Sequence, residues 1–131
     1  MTGLDTNVLV RYIAQDDAMQ SPKATKLIES LTVDAPGFVS LVSVVELFWV
    51  LSFCYGLTRE QLTQALELLL RTKEVVVDRA DQVMKALRVY KAGSADFADC
   101  LIERTAASAG CSRTMTFDIG AAKTAGMTLI G

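Results

Sequence analysis

Asp5, Glu46, Asp99 and Asp118, with Asp96 close to the third of them, stand out among the fifteen Asp and Glu residues of this chain. Most of the other acids fall in turns or on polar helix faces, whereas each of these four is set among aliphatic or aromatic neighbours. Burying a lone carboxylate is costly unless it is paired, hydrogen-bonded or bound to a metal. Gathered in one place, such groups raise one another's pKa values unless a cation lies between them. A hard divalent ion suits that donor set: Mg²⁺ takes one or two carboxylates and keeps several waters, and Mn²⁺ is its natural substitute. The sequence contains no histidine. This excludes imidazole bases, Ser-His-Asp triads, Cys-His pairs and His-ligated zinc within the chain.

Each acid also has a purely structural explanation. Asp5 can cap the helix that follows it, and Ser43-x-x-Glu46 has the spacing of a capping box. Asp96 falls in the first turn after Ser94, where the helix dipole favours an anion, and Asp118 can start a turn with Gly120. Four acids on separate apolar elements nevertheless call for a common reason. Asp96, Asp99 and Glu103 have the spacing of one helical face.

The elements that must position these groups are short. The stretch from Met1 to Ile13 reads as a very short apolar strand whose end carries Asp5, Thr6 and Asn7, followed at once by an apolar helical run from Val8 to Ile13. Ser21-Pro22 reads as the start of a helix reaching Leu31, with the serine as cap. Phe38-Val39-Ser40 reads as a strand and Ser43 to Cys54 as a buried helix carrying Glu46. Thr58-x-x-Gln61 is a capping box for a helix to about Leu70, and Val75 to Val77 is a β-branched strand. Asp78 is placed as the cap of a helix that turns Val83, Met84, Leu87 and Tyr90 inward. A further helix spans about Ala95 to Ala109, Arg113 to Asp118 reads as a strand ending at a carboxylate, and Met127 to Ile130 as an edge strand. Strands alternating with helices predict an α/β fold, a parallel sheet with helices on both faces. Asp5 and Asp118 then fall at strand ends, the rim where ligands bind in such sheets.

The length of 131 residues predicts one domain, residues 1–131. A net charge of −2 supplies no basic field for a plain nucleic-acid-binding module, but bound divalent cations reverse the local sign of an acidic pocket. Cys54, Cys100 and Cys111 form no CxxC pair. They read as reduced core thiols of a cytoplasmic chain. The apolar stretch from Phe38 to Tyr55 holds Glu46 at its middle, which argues against a membrane span.

Gly3-Leu4-Asp5-Thr6-Asn7-Val8-Leu9, Val44-Val45-Glu46-Leu47, Ala95-Asp96-Phe97-Ala98-Asp99-Cys100-Leu101-Ile102 and Thr116-Phe117-Asp118 resemble, in this order, the motifs of PIN-domain ribonucleases. Within that family they look most like the VapC toxins of bacterial type II toxin-antitoxin pairs. The resemblance implies a three-layer α/β/α fold with a central parallel sheet of about five strands. It also implies an acidic pocket for Mg²⁺ or Mn²⁺, an RNA substrate, a cognate antitoxin and a homodimer. Carried over, Asp5, Asp99 and Asp118 are metal-binding and catalytic, Asp96 is an additional acid that competes with Asp99 as first ligand, and Glu46 orients a water. Thr6, Asn7 and Thr116 are supporting residues. Glu103-Arg104 departs from the small residues usual after Leu-Ile in the family. Two rivals belong to other classes: a phosphatase using Asp5 as its nucleophile, and a catalytically silent module binding RNA or protein. The former lacks a second acid two residues after Asp5.

Overall fold

The computed structural model describes residues 1–131 as seven helices and five short strands. Their contacts divide the chain into two compact units, Met1–Asp78 and Arg79–Gly131.

The first unit is built on a parallel three-stranded sheet of β1 (Thr2–Gly3), β2 (Gly37–Val39) and β3 (Val75–Val77), with β2 in the middle. Thr2 pairs with Gly37, and Gly37 with Val75. Parallel neighbours need crossover connections, and helices supply them here: α1 (Thr6–Ala14) and α2 (Gln20–Glu29) before β2, α3 (Leu41–Phe53) and α4 (Arg59–Arg71) after it. Leu9, Val39 and Val44 are almost wholly enclosed. Each buried aliphatic of this kind contributes roughly 1.5–3 kcal/mol. Gly37 is needed for closeness, because a Cβ there would stand 2.7 Å from Leu4 Cδ1 and 2.9 Å from Leu31 Cδ1.

The second unit consists of α5 (Ala80–Ala92), α6 (Phe97–Ser108), α7 (Ile119–Thr124) and a parallel pair, β4 (Met115–Thr116) with β5 (Thr128–Leu129). Helices α5 and α6 pack on each other, and Val83 and Leu87 of the one and Phe97 and Leu101 of the other are buried. The Tyr90 and Phe97 rings meet edge-on with centroids 6.0 Å apart.

The α/β class and parallel pairing match expectation, but the strands fall into ladders of three and two rather than one sheet of about five. Several boundaries also differ, for identifiable reasons. Helix α2 starts earlier than Ser21 because Asp17 Oδ1 accepts from both Met19 N and Gln20 N, while Ser21 is buried and its hydroxyl accepts from Asp17 N. Ser40, expected in the strand, caps α3 by accepting from Ser43 N at 3.2 Å, so Glu46 lies in the second turn and no Ser43–Glu46 box forms. The Thr58–Gln61 capping box is present in full. Asp78 does not cap α5; Arg79, with φ of 51°, leads into it without a side-chain cap. Met84 is exposed and Ala86 takes the inward position. Asp118 lies beyond its strand as the cap of α7. No helix is long and apolar enough to cross a membrane, and α3 is half-exposed rather than buried. Of the three free cysteines only Cys100 is buried; Cys54 and Cys111 are exposed.

Candidate active site

In the first unit, β1 delivers the chain directly to Asp5, whose backbone is extended and whose Oδ1 accepts from Thr6 N at 2.8 Å. This is an N-cap, and an anion there is also favoured by the helix dipole. The cap occupies one carboxylate oxygen. Thr6 is buried beneath it, and Asn7 is exposed on the first turn. Helix α3 packs against α1 and places Glu46 on the wall of the same open cleft, about 390 Å³ in volume, that Asp5, Thr6 and Asn7 line. The two acids expected to cooperate in this unit therefore do share a cleft. Arg11 and Tyr55 line it as well. Neither was singled out from the sequence for a role here. The available signal was Arg11 itself, a permanent cation within the apolar run Val8–Ile13.

In the second unit, Asp96 caps α6 through Oδ1 to Ala98 N at 2.7 Å, and Asp99 follows in the first turn. Asp118 caps α7 through Oδ1 to Ala121 N at 3.2 Å, and its own N–H donates to Thr116 Oγ1 at 3.0 Å. Thr116 thus fixes the approach of the chain to Asp118. Gly120 leaves that carboxylate room, since a Cβ at this position would stand 3.1 Å from Asp118 Oδ1. Burial, and then the charges of Asp96 and Asp118, push the Asp99 carboxyl above its ordinary value. Glu103, on the expected shared face, is instead committed to its neighbour Arg104, whose Nε donates to Oε1 at 2.7 Å and Nη2 to Oε2 at 2.9 Å.

The cap expected of Asp5 is present, whereas Asp96, expected in a first turn after Ser94, and Asp118, expected in a turn with Gly120, are themselves the caps of α6 and α7, and no Ser43–Glu46 box forms. The expectation that apolar neighbours in sequence enclose these acids is corrected too. Asp5, Glu46, Asp96 and Asp118 are exposed, and Asp99 alone is half-buried. No three acidic or cysteine side chains stand close enough to enclose a single ion. The donor chemistry nevertheless fits a hard cation, because the groups are accessible carboxylates and Asp99 carries like charges beside it that a cation would relieve. Mg²⁺ needs few protein ligands, since it retains several waters.

What this α/β chain offers at its helix starts is accessible carboxylates without imidazole, a set of oxygen donors. Residues 4–127 match the family model of the PIN domain, and the chain belongs to the PIN-domain family. PIN domains are typically metal-dependent nucleases, and this chain carries that nuclease-type fold. A comparison with curated proteins returns no match.

Proposed function

We propose that the chain acts as a single PIN domain and is a Mg²⁺- or Mn²⁺-dependent endoribonuclease of the VapC-like toxin kind, kept in check by a cognate antitoxin. The supporting observation is the family match over residues 4–127, which takes in Asp5, Glu46, Asp99 and Asp118 together. Asp5, Asp99 and Asp118, with Asp96, are the acids proposed for the ion; one or two of them would bind it directly and the others through the waters it retains. What a divalent ion supplies when bound is a water of lowered pKa and neutralisation of charge on the phosphate. Asp5 and Asp118 are held in orientation by their cap bonds, each through one oxygen. Glu46, on the cleft wall, orients the attacking water and takes its proton. Attack by water with the 3′-oxygen as leaving group gives 5′-phosphate and 3′-hydroxyl ends, and no cyclic phosphate forms because the RNA 2′-hydroxyl takes no part.

For its partners the proposal draws on α3, where Val42, Trp49 and Phe53 are exposed and Trp49 stacks on Phe53 with ring centroids 5.1 Å apart. Leu41, Val42, Val45 and Trp49 line an apolar groove that Glu46 borders. An antitoxin or a second copy covering that groove would also cover the acid. Free thiols accord with a cytoplasmic setting.

The test combines two measurements on the intact chain. Calorimetric titration with Mn²⁺ is expected to show binding that Asp5→Asn and Asp99→Asn each weaken about tenfold or more, since losing even an outer-shell partner of a metal ligand costs about that much. Mapping the ends of RNA cleaved in Mn²⁺ is expected to find 5′-phosphates. Cleavage insensitive to chelator, or products ending in cyclic phosphate, would overturn the proposal. Phosphate trapped covalently on Asp5 would favour the phosphatase rival instead.

A further inference from the structure

Arg11 interrupts the apolar run of α1, and a guanidinium there cannot shed its charge. Its head is braced from several sides. Nε donates to Gln20 Oε1 at 2.8 Å, and Nη1 lies 3.4 Å from both Asp16 Oδ1 and the Tyr55 hydroxyl. Tyr55 in turn donates its hydroxyl proton to Asp16 Oδ2 at 2.9 Å. These partners come from α2, from the turn before it and from the segment after α3, so the guanidinium is fixed by three separate parts of the first unit. Nη2 has no partner within the chain. The side chain keeps 32% of its surface exposed, and among the residues lining the cleft of Asp5 and Glu46 it is the one cation.

Such a cleft repels a polyanion until some group on its wall attracts one. An immobilised guanidinium with a free donor edge suits that task, because its planar fork matches phosphate and little side-chain freedom is left to lose on binding. Resting on the nuclease reading above, we propose that Arg11 is a substrate-binding residue. Its free Nη2 edge grips a phosphate oxygen of single-stranded RNA and seats the strand against Asp5 and Glu46. Gln20 and Tyr55 hold the guanidinium in place. Asp16 moderates its charge, so that the unliganded cleft carries no unpaired cation.

The experiment measures cleavage of a single-stranded RNA oligonucleotide by the full chain in Mn²⁺, across a salt series, with a thermal midpoint for each variant. Arg11→Ala is expected to raise KM about tenfold or more, the scale of one lost charge-assisted hydrogen bond, with kcat changed less than about threefold. Its salt dependence should become shallower by about 0.7 in the log–log slope, the loss of one phosphate contact on a single strand. Arg11→Lys, which keeps the charge and loses the fork, should retain the slope and raise KM less. Asp16→Asn should move KM the opposite way, lowering it at low salt. If Arg11→Ala does not fold, the Arg11→Lys and Asp16→Asn results decide the matter. Wild-type KM and slope in the Arg11 variants, or KM rising in Asp16→Asn in step with a fallen midpoint, would show a purely structural network and overturn the assignment while leaving the nuclease reading intact. A wild-type chain that cleaves no RNA in Mn²⁺ overturns both.

Discussion

Asp99 shows how a single residue can be poorly suited to its fold and well suited to a site. Its carboxyl is held above the ordinary value by burial first, then by Asp96 and Asp118. A group whose folded pKa is raised lends stability that is complete below its unfolded value near 3.8 and is lost as pH rises through the folded value. In the metal-free chain the ionised form of Asp99 is thus the costly one. Asp99→Asn is expected to raise the thermal midpoint of metal-free protein at pH 7 by about 1–3 °C, the scale of relieving a weak like-charge contact, while abolishing metal-dependent cleavage. The gain should shrink as pH falls toward the unfolded value near 3.8, since the wild-type carboxyl then takes up its proton. A midpoint that falls at both pH values would show instead that the ionised group supports the fold.

At the scale of elements, the packing of β2 bears on the site, because the Leu4 side chain that presses on Gly37 belongs to the residue before Asp5. Gly37→Ala is expected to cost about 1–3 kcal/mol through overpacking, read as a lowered urea midpoint. Gly3→Ala in the neighbouring strand, where a Cβ would have nothing within 4 Å, should leave the midpoint almost unmoved. Equal midpoints for the two variants would dismiss this account. The same elements show what the sequence disclosed and what it withheld. Acids that break apolar runs are visible as residue types, and the Thr58–Gln61 box is visible because its partners are local. Exposure was not visible for Glu46, because α3 is apolar nearly all round and its periodicity marks no face; only contacts distant in sequence leave Val42, Trp49 and Phe53 outside. Strand pairing is non-local in the same way, so five β-like segments did not reveal two ladders. The brace on Arg11 was hidden for that reason too, since Tyr55 lies 44 residues away.

At the scale of the whole molecule, the exposed aromatic pair on α3 bears on assembly. Monomers rarely leave a contiguous apolar patch uncovered. A homodimer formed through this face would lose its contact in Phe53→Asp, at a residue 73% exposed, which is then expected to be a monomer by light scattering with a thermal midpoint within about 2 °C of the dissociated wild type. A wild-type monomer, or an undiminished dimer in the variant, would place any contact elsewhere. The helix caps carry a different consequence for the entire chain. Asparagine starts a helix about as well as aspartate does, because its amide oxygen accepts the same backbone proton. At Asp5, Asp96 and Asp118 the negative charge can therefore be deleted while α1, α6 and α7 keep their first turns. Alanine at those positions removes charge and architecture in one stroke, so its effects report on neither alone.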